Sequence, residues 1–221
     1  MSFSDNSNKN ILYRRGDFTK DARNITKLWH DVYQETHASL IPQELLKHRT
    51  MDAFRIRVEN PKFIKETIVA TKTVVNNDRE RTECLVGFVT LRIESHEIYQ
   101  LFVAKEARGL GVAKILLEKA EEDFKASENK RNCHDNFVSL STGERDKKHL
   151  TIHLHASVGN FAAKHFYEKH GWKTIKQEIF QTEIVIDETE KERQVESGKT
   201  FHRIEHFPVH CYRLEKILEL G

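Results

Sequence analysis

The sequence is poor in the residues that mark several special classes of protein. It has three cysteines, three prolines and nine glycines in 221 residues. Cys84, Cys133 and Cys211 lie far apart and share no C-x-x-C spacing, which argues against a disulfide framework and against a structural zinc site. We therefore expect a chain that folds around its hydrophobic core in a reducing compartment, the cytoplasm, with the nucleus as an alternative.

The sequence also lacks a long apolar run and an excess of charge of one sign. No apolar stretch approaches the roughly 20 residues that cross a bilayer. The 36 Lys and Arg residues against 34 Asp and Glu residues leave a formal net charge of +2. Acidic and basic residues are interspersed, whereas proteins that bind nucleic acids concentrate basic residues on one face. We therefore predict neither a membrane nor a nucleic-acid partner.

The length predicts one enlarged domain, because a typical domain has roughly 150 residues. Residues 1–10 are mostly polar and lack the basic flank and apolar stretch of a secretory signal, so we expect a disordered tail before a single domain over 11–221. Two polar stretches, near 128–149 and 187–199, are predicted to be insertions between regular elements.

The spacing of apolar residues differs from one part of the chain to another. Apolar residues at steps of three and four predict helices over 21–36, 112–127 and 160–169, and a less regular pattern predicts a helix over 43–59. Runs rich in β-branched residues predict strands over 11–14, 66–75, 83–92, 97–103, 150–156, 172–186 and 201–214. This order indicates a mixed α/β fold, with one mixed sheet and helices packed on it.

A glycine-containing turn joins the strand predicted over 97–103 to the helix that follows it. The first amides of a helix have no partner within the helix, and the positive end of the helix dipole lies there. Gly109 and Gly111 allow the backbone to approach an anion closely. The turn is therefore predicted to bind phosphate.

Two other phosphate motifs fit this turn poorly. A Walker loop needs Lys and then Ser or Thr after its last glycine, and here Val112 and Ala113 follow Gly111. A dinucleotide fingerprint follows the strand that opens its fold, whereas this turn comes after several strands.

Two blocks of sequence resemble the GNAT superfamily of N-acetyltransferases. Arg108-x-x-Gly111-x-Ala113, after a strand, matches the acetyl-CoA-binding signature of that family. Downstream, the segment 160–172 is similar to its block Asn-x-x-Ala-x-x-x-Tyr-Glu-x-x-Gly-aromatic. Residues 28–46 also resemble the amine-side helices of one branch. The resemblance covers nearly the whole chain except the tail and the two insertions.

The resemblance implies a fold and an activity. The fold would be a central, mostly antiparallel sheet of about seven strands with helices on both faces. The activity would be transfer of an acetyl group from acetyl-CoA, as co-substrate, to a primary amine by direct attack in a ternary complex. Members of the family are commonly dimeric, so a homodimer is compatible with the resemblance.

The resemblance also implies the residues that hold acetyl-CoA. In the family, the strand before the signature diverges from its neighbour and exposes backbone groups to the cofactor. Asn160 would bind the pantetheine arm or cap the following helix, and Arg108 would assist by charge or by shaping the turn. The implied cofactor-binding residues are Leu101, Phe102, Val103, Arg108, Gly109, Leu110, Gly111, Val112, Ala113, Lys114 and Asn160.

Acyl transfer from a thioester to an amine needs a base for the amine and an acid for the leaving thiolate. By the resemblance, Tyr167 would be the acid and Glu97 the base, with Glu94 and His96 close enough to compete for the second role. Strand alternation predicts that Glu97 shares a face with Tyr99, Leu101 and Val103. Tyr33 and His155 are the predicted acceptor-binding residues.

The thirteen histidines suggest a metal site, since His153 and His155 share one strand face. No carboxylate pattern accompanies them, so we predict no metal. The acceptor is predicted to be a small-molecule amine. The alternatives are a protein lysine or N-terminal amine, and a non-catalytic acyl-CoA-binding module.

Overall fold

The computed structural model describes residues 11–75, 81–135, 149–187 and 202–220. Their elements, in chain order, are β1 (Ile11–Arg15), α1 (Phe18–His37), α2 (Gln43–Lys47), α3 (Met51–Val58), α4 (Pro61–Lys65), β2 (Thr67–Val75), β3 (Arg81–Arg92), β4 (Glu97–Val103), a 3-10 turn (Lys105–Ala107), α5 (Val112–Asp135), β5 (His149–Ser157), α6 (Phe161–Lys169), β6 (Lys173–Asp187) and β7 (His202–Glu219).

The strands form one seven-stranded sheet in the order β1-β2-β3-β4-β5-β7-β6. β4 and β5 are parallel, and all other neighbouring strands of the described chain are antiparallel. The predicted mixed, mostly antiparallel sheet of about seven strands is therefore confirmed.

Each face of the sheet carries its own hydrophobic core. On one face, Leu116 and Phe124 of α5 pack in a cluster with Ile152 and Leu154 of β5. On the other face, Trp29 of α1 lies at the centre of an aromatic cluster that includes Phe54, Phe63, Phe88 and Phe102. Helices thus cover both faces, as predicted. We call these the α5 face and the α1 face.

The single helix predicted over 43–59 is wrong, because capping residues divide this region. The Thr50 side chain accepts a hydrogen bond from the Ala53 amide and begins α3. Asn60 caps α4 in the same way, with Pro61 in the first helical turn. Three short helices therefore occupy residues 43–65 and pack beside α1.

Helix α5 extends to Asp135 rather than ending near residue 127, so the first part of the predicted insertion 128–149 is helical. Residues 125–135 contain neither glycine nor proline, and their Lys, Glu, Ala and Arg side chains favour helix. Residues 136–148 and 188–199 of the predicted insertions, and the predicted tail 1–10, lie outside the described residues. No helix in the described ranges is long and apolar enough to span a membrane.

Strands β6 and β7 continue past the end of β5. Residues 179–187 and 202–210 form a two-stranded segment, which we call the β6–β7 ribbon. Ile184 of the ribbon packs against Ile41 and Leu45 at the start of α2. The buried Arg49 donates to the Glu183 carbonyl at 2.7 Å and to Thr182 Oγ1 at 2.8 Å. The ribbon is thereby held against the helices of the α1 face.

Gly87 on β3 allows α5 to lie close to the sheet. A Cβ at this position would lie 3.1 Å from the Phe102 carbonyl oxygen and 3.2 Å from side-chain carbons of Leu116 and Val112. We expect Gly87→Ala to lower the free energy of unfolding by about 1–3 kcal/mol, because α5 and β4 must both move. Urea unfolding followed by circular dichroism measures the change.

The matched control for this variant is Cys84→Ala, which places alanine at an exposed position of the same strand. It should change the free energy of unfolding by less than about 0.5 kcal/mol. Equal stabilities of Gly87→Ala and wild type would show that close packing of α5 on β3 is not required.

Candidate active site

The site is built around a gap between β4 and β5. Among the described residues the two strands pair at only two positions, Glu97 with His153 and Ile98 with Leu154. Beyond these positions β4 continues beside β3 and β5 continues beside β7. The remaining edge of β4 therefore presents backbone groups that have no partner in β5, and at the Val103 carbonyl Arg108 Nε donates a hydrogen bond of 3.4 Å.

A β-bulge at Tyr99 changes the direction of the side chains along β4. Thr90 pairs with Gln100 while Leu91 pairs with Ile98, which leaves Tyr99 as an additional residue. Before the bulge, Glu97 lines a pocket on the α1 face. After the bulge, Phe102 lines the same pocket, whereas Leu101 and Val103 pack in the core of the α5 face. The predicted common face for Glu97, Leu101 and Val103 is therefore wrong.

The bulge also decides which backbone groups face the gap. The Ala104 amide donates to the Val86 carbonyl at 2.9 Å, so this position faces β3. Because backbone groups alternate along a strand, those of Leu101 and Val103 face the gap. These are the backbone groups that the sequence predicted for the cofactor.

The turn after β4, which the sequence predicts to bind phosphate, leads into the N-terminal end of α5. Gly109 and Gly111 have φ angles of 79° and 78°, in the left-handed region, and no described atom lies within 4 Å of a Cβ added to either. Backbone conformation, not crowding, therefore requires glycine here. The Ile115 amide donates to the Gly111 carbonyl at 3.1 Å. The amides of residues 112–114 precede it and have no partner within the helix.

These amides open into a cleft of about 790 Å³. Seven of the predicted cofactor residues line the cleft: Val103, Arg108, Gly109, Gly111, Val112, Ala113 and Lys114. The opposite wall consists of Phe166, Lys169 and His170, to which the sequence analysis gave no role. Their spacing of three and four residues on a helix was the available signal, because it places them on one face.

Four predicted cofactor residues do not line this cleft. Leu110 packs against the core, and Leu101 packs there while its backbone faces the gap. Phe102 lines the pocket on the other face of the sheet. The Asn160 side chain accepts from the Ala163 amide at 3.1 Å and so caps α6, one of the two roles predicted for it.

Arg108 forms a two-pronged ion pair with Glu35 of α1. Its Nη1 and Nη2 lie 3.1 Å and 2.7 Å from the two carboxylate oxygens. Hydrogen bonding to Arg108 lowers the pKa of Glu35. Arg108 thus connects the turn to α1, which corresponds to the predicted shaping role.

A second pocket, of about 100 Å³, lies on the α1 face beside the gap. Tyr33, Glu97 and His155, which the sequence analysis predicted separately, all line it. Aromatic side chains form much of the wall, including Tyr99, Phe102 and Phe180. Thr182 and Val209 of the β6–β7 ribbon close the far side.

Glu97 is a buried carboxylate held between two cationic or polar partners. Its Oε1 lies 3.3 Å from His155 Nδ1, and its Oε2 accepts from Arg92 at 3.3 Å. Burial raises the pKa of Glu97, but the His155 hydrogen bond and the Arg92 charge outweigh it, and the net pKa lies below the usual value. The carboxylate is therefore ionised at neutral pH.

The two competing candidates for the base lie elsewhere. Glu94 is exposed and forms an ion pair with Lys62 at 2.9 Å. His96 lies in the turn before β4, where its Nε2 is 3.2 Å from Arg131. Neither side chain lines the pocket that contains Glu97.

Two histidines of the pocket differ in environment. His155 is held on both ring nitrogens, because its Nε2 lies 3.0 Å from Glu178 Oε1, and its ring stacks on Phe180. His37 stacks on Tyr33 with ring centroids 4.5 Å apart. Burial lowers the pKa of His37 to about 4, and the charge of Arg49 acts in the same direction. His37 is therefore neutral at pH 7.

Tyr167 on α6 is buried in the core of the α5 face, between Phe166 and Trp172. Burial raises the pKa of its phenol, so the hydroxyl stays protonated at neutral pH. Its hydroxyl makes no hydrogen bond within the described part of the chain, and the side chain lines neither the cleft beside the glycine turn nor the pocket that contains Glu97.

Comparisons with known proteins agree with this geometry. Residues 69–174 match the family model of the acetyltransferase (GNAT) domain. No curated protein sequence is significantly similar to the chain. Among solved structures, PH1933 from Pyrococcus horikoshii is 17% identical, with a TM-score of 0.52 over 95% of this chain and 99% of that one.

Two further solved structures carry names that describe an activity. The PaiA N-acetyltransferase of Thermoplasma acidophilum, in complex with coenzyme A, is 16% identical, with a TM-score of 0.51 over 93% and 98% of the two chains. The ribosomal-protein-alanine N-acetyltransferase of Brucella melitensis is 19% identical, with a TM-score of 0.50 over 94% and 99%. Similarity at this level of identity shows a shared fold.

The segment matched by the family model contains the β4–β5 gap, the glycine turn and α6, which together form both sides of the site. Residues 69–174 are therefore similar to the acetyltransferase (GNAT) domain, which indicates an acyltransferase, and the chain shares its fold with the solved structures named above.

Proposed function

We propose that the protein transfers an acetyl group from acetyl-CoA to a small-molecule primary amine by direct attack in a ternary complex. The observation that carries this proposal is the gap between β4 and β5. Val103 lines the cleft beside the glycine turn on the α5 face, and its neighbour Phe102 lines the Glu97 pocket on the α1 face. A thioester lying along the edge of β4 would therefore extend from the cleft to the Glu97 pocket.

The cleft has the features that a coenzyme A diphosphate requires. Free amides of residues 112–114 would donate to the phosphate oxygens, and the helix dipole would add to the attraction. Lys114 and Lys169 line the same cleft and can supply positive charge. The pantetheine arm would hydrogen bond to the backbone of Leu101 and Val103. The coenzyme A bound to the PaiA structure supports this choice of cofactor.

Glu97 would take the proton of the incoming amine. An alkyl ammonium ion has a pKa near ~10.4 and must lose a proton before it can attack. The ionised Glu97 attracts the ammonium ion and accepts the proton, directly or through water. His155 and Glu178 continue the hydrogen-bonded chain away from the pocket.

The amine nitrogen would then attack the thioester carbonyl. The new N–C bond forms as the C–S bond breaks, and coenzyme A leaves as a thiolate. Tyr167 would donate its proton to the sulfur, because its phenol is protonated at neutral pH. The backbone groups at the gap would orient the thioester for attack.

The size of the Glu97 pocket supports a slender acceptor. Its volume of about 100 Å³ is well below the ~300–1,000 Å³ of pockets for drug-sized ligands. The aromatic walls suit an alkyl chain, and the carboxylate of Glu97 suits a terminal ammonium group. Arg49 holds the β6–β7 ribbon over the pocket, which restricts the approach of a folded protein.

The test of the proposed function is a panel of acceptors with acetyl-CoA, read out by release of thiol. We expect turnover with polyamines, amino acids or aminoglycosides and none with histone peptides. Turnover with peptides and with none of the small amines would show that the acceptor is a protein. Coenzyme A binding without turnover on any amine would favour a non-catalytic acyl-CoA-binding module.

Tyr167→Phe should lower kcat by about 10²–10⁴-fold, because the thiolate loses its proton donor. Binding of coenzyme A, followed by thermal shift, should stay at the wild-type level. Tyr212→Phe is the matched control, since Tyr212 is buried in the same core, and it should retain wild-type kcat. A wild-type kcat in Tyr167→Phe would remove this tyrosine from the mechanism.

Glu97→Gln should lower kcat/KM for the amine by at least ~10²-fold, because the pocket loses its base. Because the pKa of Glu97 lies below its ordinary value, its carboxylate is ionised across the whole assay range of about pH 6 to 9. Wild-type kcat/KM should therefore lack a Glu97 inflection in that range, and the remaining activity of the variant should rise with pH toward the amine pKa. Steady-state kinetics from about pH 6 to 9 measures both effects.

The control for Glu97→Gln is Glu94→Gln, which alters an exposed carboxylate near the start of the same strand. It should leave kcat/KM unchanged. If both variants kept wild-type kcat/KM, the base would lie outside these two residues.

A further inference from the structure

Three metal-binding side chains meet on the α1 face of the sheet. The parallel register places Glu97 of β4 opposite His153 of β5, and His155 follows on the same face. One ligand atom from each of the three groups lies within 4.8 Å of the other two. Glu97 is buried and both histidines are partly buried, so this cluster differs from an exposed acidic patch.

The chemistry of the three groups fits a zinc-class ion. Two imidazole nitrogens and one carboxylate oxygen are a common three-residue ligand set for Zn²⁺, which leaves a fourth position open. Ligand atoms of a tetrahedral Zn²⁺ site are about 3.4 Å apart, given Zn–N and Zn–O bonds near ~2.1 Å. Glu97 Oε1 and His155 Nδ1 are already 3.3 Å apart, so the main movement required is that of His153.

Neighbouring groups hold two of the ligands in the required state. Glu178, 3.0 Å from His155 Nε2, accepts the proton of that nitrogen, so that a metal ion would displace only the proton that His155 Nδ1 shares with Glu97 Oε1. Arg92 binds Oε2 of Glu97 and leaves Oε1 for a metal.

Positive charges nearby have carboxylate partners of their own. Arg92 is 2.8 Å from Glu183, and Arg213 is 2.8 Å from Glu215. Lys176 binds the other oxygen of Glu178, at 2.7 Å. Their repulsion of a bound cation is therefore reduced by these ion pairs.

From this arrangement we infer that Glu97, His153 and His155 bind one divalent transition-metal ion of the zinc class at the acceptor pocket. The effect that we expect this metal ion to have on activity rests on the proposed function. The metal occupies Glu97 Oε1, the atom that would receive the proton of the amine, and so it inhibits acetyl transfer in competition with the acceptor.

The binding experiment uses the full chain without coenzyme A and Zn²⁺ alone as the titrant in calorimetry. We expect one saturable site per chain in wild type and at least tenfold weaker binding in His153→Gln. His206→Gln, which changes an exposed histidine of β7, should bind like wild type. Co²⁺ should give the visible absorbance of a histidine-coordinated ion in wild type and lose it in His153→Gln.

Two results would overturn the metal site. One is the absence of a saturable Zn²⁺ site in wild type, and the other is equal binding by His153→Gln and wild type. A thermal-shift response of His153→Gln to coenzyme A shows that the variant is folded. These readouts need no turnover, so they distinguish failure of the metal site from failure of the proposed acetyltransfer.

The activity experiment measures the acetylated amine by mass spectrometry, because the thiol of released coenzyme A itself binds zinc. Zn²⁺ should raise the apparent KM for the amine in wild type. His153→Gln should keep its basal turnover and require at least tenfold more Zn²⁺ for the same inhibition. Equal inhibition of the two proteins would contradict the assignment of His153 as a ligand.

Discussion

The short parallel contact between β4 and β5 is the constraint on which the site depends. Two residues of β4 pair with two of β5, and the strands then follow different partners, β3 on one side and β7 on the other. Twisted strands that remain paired would bury their backbone groups in a continuous ladder. Because the ladder stops here, backbone donors and acceptors are available in the interior of the sheet, where a ligand can use them.

The bulge at Tyr99 gives this gap its two different sides. An additional residue reverses the alternation of β4, so Glu97 and Phe102 lie on the α1 face while Leu101 and Val103 lie on the α5 face. The same reversal directs the backbone of Leu101 and Val103 toward the gap. One extra residue therefore places the cleft beside the glycine turn and the pocket that contains Glu97 on opposite faces of the same strand.

Hydrogen bonds and ion pairs of charged side chains connect the parts of the chain that surround the pocket. Arg108 links the glycine turn to α1, and Arg49 links the start of α3 to the β6–β7 ribbon. Glu97, His155 and Glu178 form a hydrogen-bonded row across β4, β5 and β6. Buried charges are expensive unless each has a partner, and here the partners come from different elements. The shape of the pocket therefore depends on contacts between different helices and strands and not on any single element.

Local patterns in the sequence determined the elements and the cofactor turn. Alternation and helical periodicity located all seven strands and the long helices, since these signals depend on neighbouring residues. Gly109 and Gly111 located the turn between β4 and α5 for the same reason, and both glycines have positive φ angles there. The division of residues 43–65 into three helices and the length of α5 were missed, because weak caps and a charged surface helix give a faint apolar pattern.

Only the tertiary structure decided which distant residues meet. Glu97 and His155 are far apart in sequence, and the sheet register places them 3.3 Å from each other. The bulge at Tyr99 cannot be recognised from the amino-acid composition of β4, yet it decides the face on which each residue of the strand lies. Phe166, Lys169 and His170 became part of the cleft because the fold brings the C-terminal end of α6 to the same cleft as the glycine turn and the start of α5. Strand register and helix packing are set by the sum of many long-range contacts, and no short stretch of sequence contains that sum.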